Sequence, residues 1–264
     1  MAIINPLIAQ PPKEVSLKKA PLVRVIAQIR FPLITSIENK SFIGGFQEAI
    51  RDKYPILQQE QTRSLVFGSQ GVTQSEQVTW RFVDVQGNWR LSLSPDFVAL
   101  ETTAYTSRSD FIARLENLLT ALNEHIKPKI VQRFGVRYID RLVGQAVNDI
   151  SKLVRSEITG IVALDFGEYI HQSINESLFS LPGGEDQIIA RWGLIPPNGT
   201  FDPDAIEPVD EPSWILDLDM SLSKQRDFDV EELLNEAQRF AERIYTFFRW
   251  AVTDEFLQHF GGEP

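Results

Sequence analysis

The sequence predicts an α+β protein in which two β-α-β4-α units form one curved antiparallel sheet, with helices packed on one face. Several segments alternate apolar and polar residues with the two-residue period of a half-buried strand. Two long segments carry apolar residues at helical spacing. The order of these segments is similar in the two halves of the chain, which indicates an internal duplication.

The first half is predicted to span 21–128, after an extended N-terminal arm at 1–20. Its first strand, PLVRVIAQIRF, alternates apolar residues with Arg24, Gln28 and Arg30, so these three side chains should share one face. A helix is expected within 41–55, where Pro55 ends it. The other predicted elements are strands at 58–68, 72–85, 88–94 and 97–105 and a helix at 107–128.

The second half, 129–264, repeats this order less clearly. In its first strand, at 130–142, the stretch RFGVRYIDRL places Arg133, Arg137 and Arg141 on one face. A proline-rich acidic insert at 196–213 should bury little and form a loop. The loop would dock a basic partner, cover the concave sheet face or be a plain solvated insertion. The remaining predicted elements are a helix at 148–156, strands at 161–170, 174–181, 186–194 and 214–222, and a helix at 229–250.

Composition excludes several classes of function. The 264 residues include no cysteine, which excludes disulfides, thiolate nucleophiles and cysteine-ligated zinc. A net charge of −10 argues against a general DNA-coating role, because sequence-independent DNA binding depends on positive charge. The chain has neither an apolar run of membrane-spanning length nor a signal-peptide pattern. We therefore expect a cytoplasmic protein that does not bind membranes.

Enzyme motifs are missing from the sequence. The three histidines lack metal-ligand spacing, and no glycine pattern matches a phosphate-binding loop, so we assign no catalytic residue and expect no cofactor. Asp217 and Asp219 should share a strand face, about 6–7 Å apart. With Glu101 they form a weak candidate for a divalent metal site. The favoured alternative is that these acids neutralise arginines on neighbouring strands.

One polar sheet face is the candidate ligand-binding surface. Arg133 and Arg141 should stand about 26 Å apart, a length that suits an extended anionic ligand such as a nucleic-acid backbone or an acidic protein segment. The alternative is a solvated surface with ordinary ion pairs. The candidate residues are Arg24, Arg30, Arg133, Arg137, Arg141, Asp217 and Asp219.

Two resemblances extend these expectations. The element order resembles the saddle fold of the TATA-binding protein, which implies that strands 21–31 and 130–142 lie near the middle of the sheet. KAPLVxVxxxIRF, from Lys19 to Phe31, and RFGVRYIDRL resemble signatures of a sporadically distributed, uncharacterised prokaryotic family. This family resemblance implies no catalytic residue, and its patchy distribution implies genes that move with defence or toxin–antitoxin modules.

The predicted function is that of a non-enzymatic binding protein that engages a protein partner, as an accessory or antitoxin-like component of a mobile defence module. One alternative is a nucleic-acid or nucleotide-binding sensor that uses the arginine-lined face. Another is a metal-dependent enzyme with the carboxylate site described above. The apolar surplus of the C-terminal helix also suggests a homodimer.

Overall fold

A computed structural model describes residues 5–68 and 71–263, with the backbone alone over 62–68 and 71–76. Within this part of the chain, nine strands form one large antiparallel sheet accompanied by helices, which confirms the α+β class. The strands, numbered along the chain, lie across the sheet in the order β2 (Ile56–Gly68), β3 (Gly71–Val83), β4 (Trp89–Ser94), β5 (Phe97–Thr102), β1 (Leu22–Arg30), β7 (Arg133–Val143), β10 (Ser213–Leu222), β9 (Asp186–Ile195) and β8 (Ser173–Ser180). Two short strands, β6 (Ile130–Val131) and β11 (Arg226–Asp227), form a separate two-stranded sheet. The two first strands of the predicted halves, β1 and β7, are therefore neighbours.

The first half folds close to expectation. Helix α2 begins after Ser107, whose hydroxyl oxygen accepts a hydrogen bond from the backbone of Asp110. Helix α1 is shorter than predicted because Asn39 accepts a hydrogen bond from the backbone of Ser41 and so forms a turn ahead of the helix. The elements are β1 Leu22–Arg30, α1 Gly44–Ile50, β2 Ile56–Gly68, β3 Gly71–Val83, β4 Trp89–Ser94, β5 Phe97–Thr102 and α2 Arg108–Ala121, which continues as a π-helical turn over Leu122–Ile126.

The second half contains three main strands after β7 and ends in a long helix. The predicted helix at 148–156 is instead a series of three single-turn helices, α3 to α5. The elements are β6 Ile130–Val131, β7 Arg133–Val143, α3 Gln145–Asn148, α4 Ile150–Leu153, α5 Ser156–Thr159, β8 Ser173–Ser180, β9 Asp186–Ile195, β10 Ser213–Leu222, β11 Arg226–Asp227, α6 Val230–Ala251 and α7 Asp254–His259.

The strand predicted at 161–170 is wrong, because this segment forms two 3₁₀ turns, Gly160–Ala163 and Gly167–Tyr169. Gly160 adopts a φ of +52°, which bends the chain where a strand would have to begin. Gly167 packs so closely on the carbonyl of Val162 that a Cβ atom would come within 2.1 Å of its oxygen. The apolar residues that suggested a strand are instead exposed, among them Phe166 and Tyr169.

Contacts divide the chain into two compact units. One unit comprises Met1–Val25, Arg137–Ser221 and Arg239–Pro264, and buries Trp214 and Phe240. The other comprises Ile26–Val136 and Leu222–Gln238, where Trp80 donates its indole N–H to the carbonyl of Ile37 at 2.7 Å. The unit boundaries fall inside β1, β7, the strand Ser213–Leu222 and the helix Val230–Ala251, whereas the sequence predicted one division between residues 128 and 129.

The N-terminal arm is docked on helix α6. Arg243 donates to the carbonyls of Pro6 and Ala9 at 2.8 Å, and the Tyr245 hydroxyl accepts from the backbone of Val15 at 2.8 Å. None of the exposed large apolar side chains in the described ranges lies on α6. The predicted apolar surplus of this helix is thus covered within the chain. A homodimer through α6 stays a prediction, without an exposed apolar face to support it.

Gly193 marks a close backbone contact in the β8–β9 hairpin, and we expect Gly193→Ala to destabilise the protein. Its φ is +145°, and a Cβ atom would lie 1.7 Å from the carbonyl oxygen of Ser173 on β8. Strain of this kind should cost about 2–4 kcal/mol of unfolding free energy, measured by urea denaturation. Gly184→Ala is the matched control, because its nearest neighbouring atom is 3.6 Å away. Equal stability of the two variants would contradict the argument.

Candidate functional site

Three of the predicted arginines converge within one unit of the chain. Arg24 extends from β1, and Arg137 and Arg141 extend from β7 at positions that are four residues apart. Arg24 and Arg137 contact residues 202–207 of the acidic insert, and Arg141 interacts electrostatically with Glu207 of the same segment. We call Arg24, Arg137 and Arg141 the arginine cluster. The two-residue alternation of β7 therefore brings Arg137 and Arg141 to one face, as the sequence predicted.

Arg137 forms a bidentate ion pair with Asp217 of β10. Its Nε and Nη2 atoms donate to the two carboxylate oxygens of Asp217, both at 2.7 Å. Arg191 of β9 adds a third contact to the same carboxylate at 3.3 Å. The Asp217 side chain is completely buried. A buried carboxylate that is shared by two arginines is stabilised only while both cations remain.

Neighbouring carboxylates stabilise the protonated, positively charged form of Arg137. Burial alone would lower its pKa, but hydrogen bonds and charge interactions with Asp217 and Asp202 outweigh burial, so the pKa of Arg137 lies above its usual value. The Nη1 atom donates to Asp202 at 2.7 Å. Every nitrogen of this guanidinium therefore faces a carboxylate oxygen, and Arg137 acts as a bridge between β10 and the insert.

The acidic insert lies on the arginine cluster. Its Asp202 contacts Arg137, and the carbonyl of Asp204 and the carboxylate of Glu207 accept from Arg24 at 3.3 and 3.2 Å. These contacts agree with a loop that covers the strand arginines and argue against a plain solvated insertion; docking of a basic partner stays a prediction. Arg24 is consequently buried, although the sequence placed it on an open face.

The insert is an ordered loop with its own anchor. Ala205 and Ile206 are buried, whereas the sequence predicted a segment that buries little. The hydroxyl of Thr200 donates to the carbonyl of Ile206 at 2.7 Å and accepts from the backbone of Asp202. Beyond this turn, Glu211 accepts from the backbone of Gly144 at 3.0 Å. Apolar anchoring and internal hydrogen bonds thus hold the acids over the arginines.

Arg141 differs from the other two members of the cluster. Its Nε and Nη2 atoms are buried and have no hydrogen-bond partner among the residues that the structure describes. Burial lowers the pKa of Arg141, and the nearby carboxylate of Glu207 acts in the opposite direction. A buried donor without a partner typically costs about 1–3 kcal/mol. Sequence patterns cannot reveal such a group, because it depends on what covers the strand.

The remaining residues of the predicted face have other surroundings. Arg30 and Arg133 belong to the other unit, where Arg30 is half-exposed and pairs with Asp96 at 3.5 Å. The guanidinium of Arg133 folds back over Gly135, so close that a Cβ atom there would lie 2.8 Å from Nη1. Asp219 is half-buried. The arginine cluster, rather than the full row of five arginines, is therefore the candidate site.

Two of the three carboxylates that suggested a metal site, Glu101 and Asp217, form cross-strand ion pairs. Glu101 lies directly opposite Arg90 in the β4–β5 pair, and their side chains are hydrogen-bonded. Asp217 forms ion pairs with both Arg137 and Arg191. Among the side chains that the structure describes, no group of three or more histidines, aspartates or glutamates is arranged to hold a metal ion. The favoured alternative, neutralisation of strand arginines, accounts for Glu101 and Asp217.

Two broader observations bear on what this site does. No helix in the described part of the chain combines the length and apolar character needed to cross a membrane. Comparison of the sequence with protein-family models and with curated proteins finds no match. The function of the arginine cluster has to be inferred from its own geometry.

Proposed function

We propose that this protein is a non-enzymatic binding module whose arginine cluster holds an extended acidic segment of a protein partner. The observation that carries this proposal is the position of the insert. An acidic, proline-rich segment of the chain itself lies across the cluster and contacts Arg24 and Arg137 through two carboxylates and a carbonyl. A partner segment of the same character would find complementary charge and length there.

The chemistry of the cluster suits carboxylates. Arginine presents a planar fork of N–H donors that matches a carboxylate bidentately, and Arg137 uses this geometry on Asp217. The overall charge of −10 weakens long-range attraction to nucleic acid, whereas a short acidic segment needs only the local cluster. A protein partner is therefore favoured over nucleic acid. The antitoxin-like role stays a prediction based on the family resemblance.

We also propose that the sheet is a duplicated saddle of the kind found in the TATA-binding protein. Outward from the neighbouring strands β1 and β7, the order is β5-β4-β3-β2 on one side and β10-β9-β8 on the other. This is the order that two β-α-β4-α units would produce if the second unit lacked a counterpart of β2. The 3₁₀ turns at 160–169 occupy the corresponding part of the chain.

Binding of a fluorescein-labelled glutamate-rich peptide, measured by fluorescence anisotropy at low salt, tests the proposed function. We expect binding that weakens with added salt and that Arg24→Glu reduces at least about tenfold, because the reversal replaces attraction by repulsion. Arg155→Glu is the control, since Arg155 is an exposed arginine of the same unit that lies 5.9 Å from the ring centre of Trp250. Absence of peptide binding by both the native chain and Glu207→Gln would refute the proposal.

A further inference from the structure

Arg141 is the member of the cluster that has buried N–H donors without described hydrogen-bond acceptors. Nε and Nη2, two of its three guanidinium nitrogens, are buried and lack an acceptor within the described ranges. Buried donors in folded proteins are almost always paired, so each exception needs a specific explanation. Glu207 of the insert interacts electrostatically with Arg141, but its carboxylate is bonded to Arg24 at 3.2 Å. The insert therefore neutralises Arg24 and Arg137 more completely than Arg141.

Arg137 shows what the same atoms do when a carboxylate is present. In Arg137 the Nε and Nη2 atoms both donate to Asp217 at 2.7 Å, one to each oxygen. The Nε–Nη2 edge of Arg141 consists of the two atoms that lack a partner. This edge of a guanidinium fits the two oxygens of a carboxylate in parallel hydrogen bonds. A single neutral acceptor would satisfy only one of the two donors.

We propose that the Nε–Nη2 edge of Arg141 is a carboxylate-binding subsite, which receives an aspartate or glutamate side chain from the acidic segment of a protein partner when Glu207 moves aside. This inference rests on the proposed function and identifies the group within the cluster that gains a new bond. On binding, Arg24 exchanges the carboxylate of Glu207 for one from the partner, and Arg137 keeps Asp202 and Asp217. The Nε–Nη2 edge of Arg141, in contrast, gains an acceptor that it lacks in the free protein. The subsite thus favours the partner segment over the insert.

The Glu207 side chain of the insert can move away from the cluster without unfolding the protein. The Glu207 side chain is 81% exposed, so its ion pair with Arg24 is of the solvent-screened kind that contributes little to stability. The buried anchor of the insert, Ala205 and Ile206, adjoins Glu207 in sequence but does not include it. A rotation of Glu207 away from the cluster would remove its carboxylate from Arg24 and from the electrostatic surroundings of Arg141, while the anchor remains in place.

Substitutions at Glu207 and Arg141 test the subsite with the same glutamate-rich peptide. Glu207→Gln should tighten peptide binding about tenfold, because it removes the carboxylate that competes for the arginines. Arg141→Gln in the Glu207→Gln background should weaken binding by about the same factor. Arg141→Lys should weaken it similarly, since lysine keeps the charge but lacks the bidentate edge. Arg155→Gln, in the same background, should leave peptide affinity unchanged.

The outcomes separate this inference from the proposed function. Peptide binding that depends on Arg24 but is equal with arginine, lysine or glutamine at 141 would overturn the subsite and leave the proposed function standing. No peptide binding by any variant would overturn both. Tighter binding of a fluorescein-labelled oligothymidylate than of the peptide, lost on Arg141→Gln, would overturn the choice of a polypeptide carboxylate. Thermal unfolding of each variant checks that the fold is retained.

Discussion

Asp217→Asn is expected to lower the free energy of unfolding by about 3–5 kcal/mol, the cost typical of removing one partner from a buried ion pair. The Asp217 side chain is completely buried, and its two oxygens accept from both Arg137 and Arg191. An asparagine is neutral and has only one acceptor oxygen in place of two. The substitution therefore leaves two substantially buried guanidinium groups without their shared counter-charge.

Urea denaturation followed by tryptophan fluorescence measures this loss. Glu176→Gln is the matched control, because Glu176 also pairs with Arg191 but is 59% exposed, and it should cost less than about 1 kcal/mol. Arg137→Met in the Asp217→Asn background should recover part of the loss, since it removes one of the uncompensated cations. A loss for Asp217→Asn as small as that of the control would show that the network contributes little to the fold.

Asp140→Asn is expected to make the protein more stable above pH 7 and to flatten its stability profile between about pH 4 and 7. Asp140 lies on β7, and burial raises its pKa to about 7. The folded state therefore holds a proton that the unfolded state releases near pH 4. Stability contributed by this proton is complete at low pH and is lost as the pH rises through 7. Over that interval, the native chain should lose about 2–4 kcal/mol relative to the variant.

Unfolding free energies from urea titrations at several pH values between 4 and 8 check this expectation. Both chains contain the same other titratable groups, so the difference between their profiles isolates Asp140. Asp165→Asn, which changes an exposed carboxylate, should follow the native profile. Parallel profiles for Asp140→Asn and the native chain would mean that Asp140 titrates near its ordinary value in the folded state.

The strands were predictable wherever one face meets the core. In β1, Val25, Ala27 and Ile29 are buried at alternate positions, so the two-residue period is visible in the sequence. The same reasoning failed at 161–170, where apolar residues are exposed on 3₁₀ turns. There the conformations of Gly160 and Gly167 decide the path of the chain. Apolar composition alone does not distinguish a buried strand from an exposed turn.

The sequence predicted which residues belong to the candidate site, but it did not predict their burial or all of their ion-pair partners. Alternation identified Arg24, Arg137 and Arg141 as polar-face residues, and cross-strand pairing was the favoured interpretation of Asp217. The burial of Arg24 and the separate surroundings of Arg30 were not predicted. Both depend on which residues from distant parts of the sequence, such as Glu207 and Asp96, reach each guanidinium.

By itself, the sequence determined the α+β class, most strand positions and the arginine-bearing faces, because side-chain alternation is a local consequence of backbone geometry. Only the tertiary structure decided which arginines meet carboxylates. Ion pairing depends on atoms that approach within a few ångströms of one another, and the partners of Arg137 are 65 and 80 residues away along the chain. Folding of the acidic insert onto β1 and β7 therefore distinguishes Arg141 from arginines that look equivalent in the sequence.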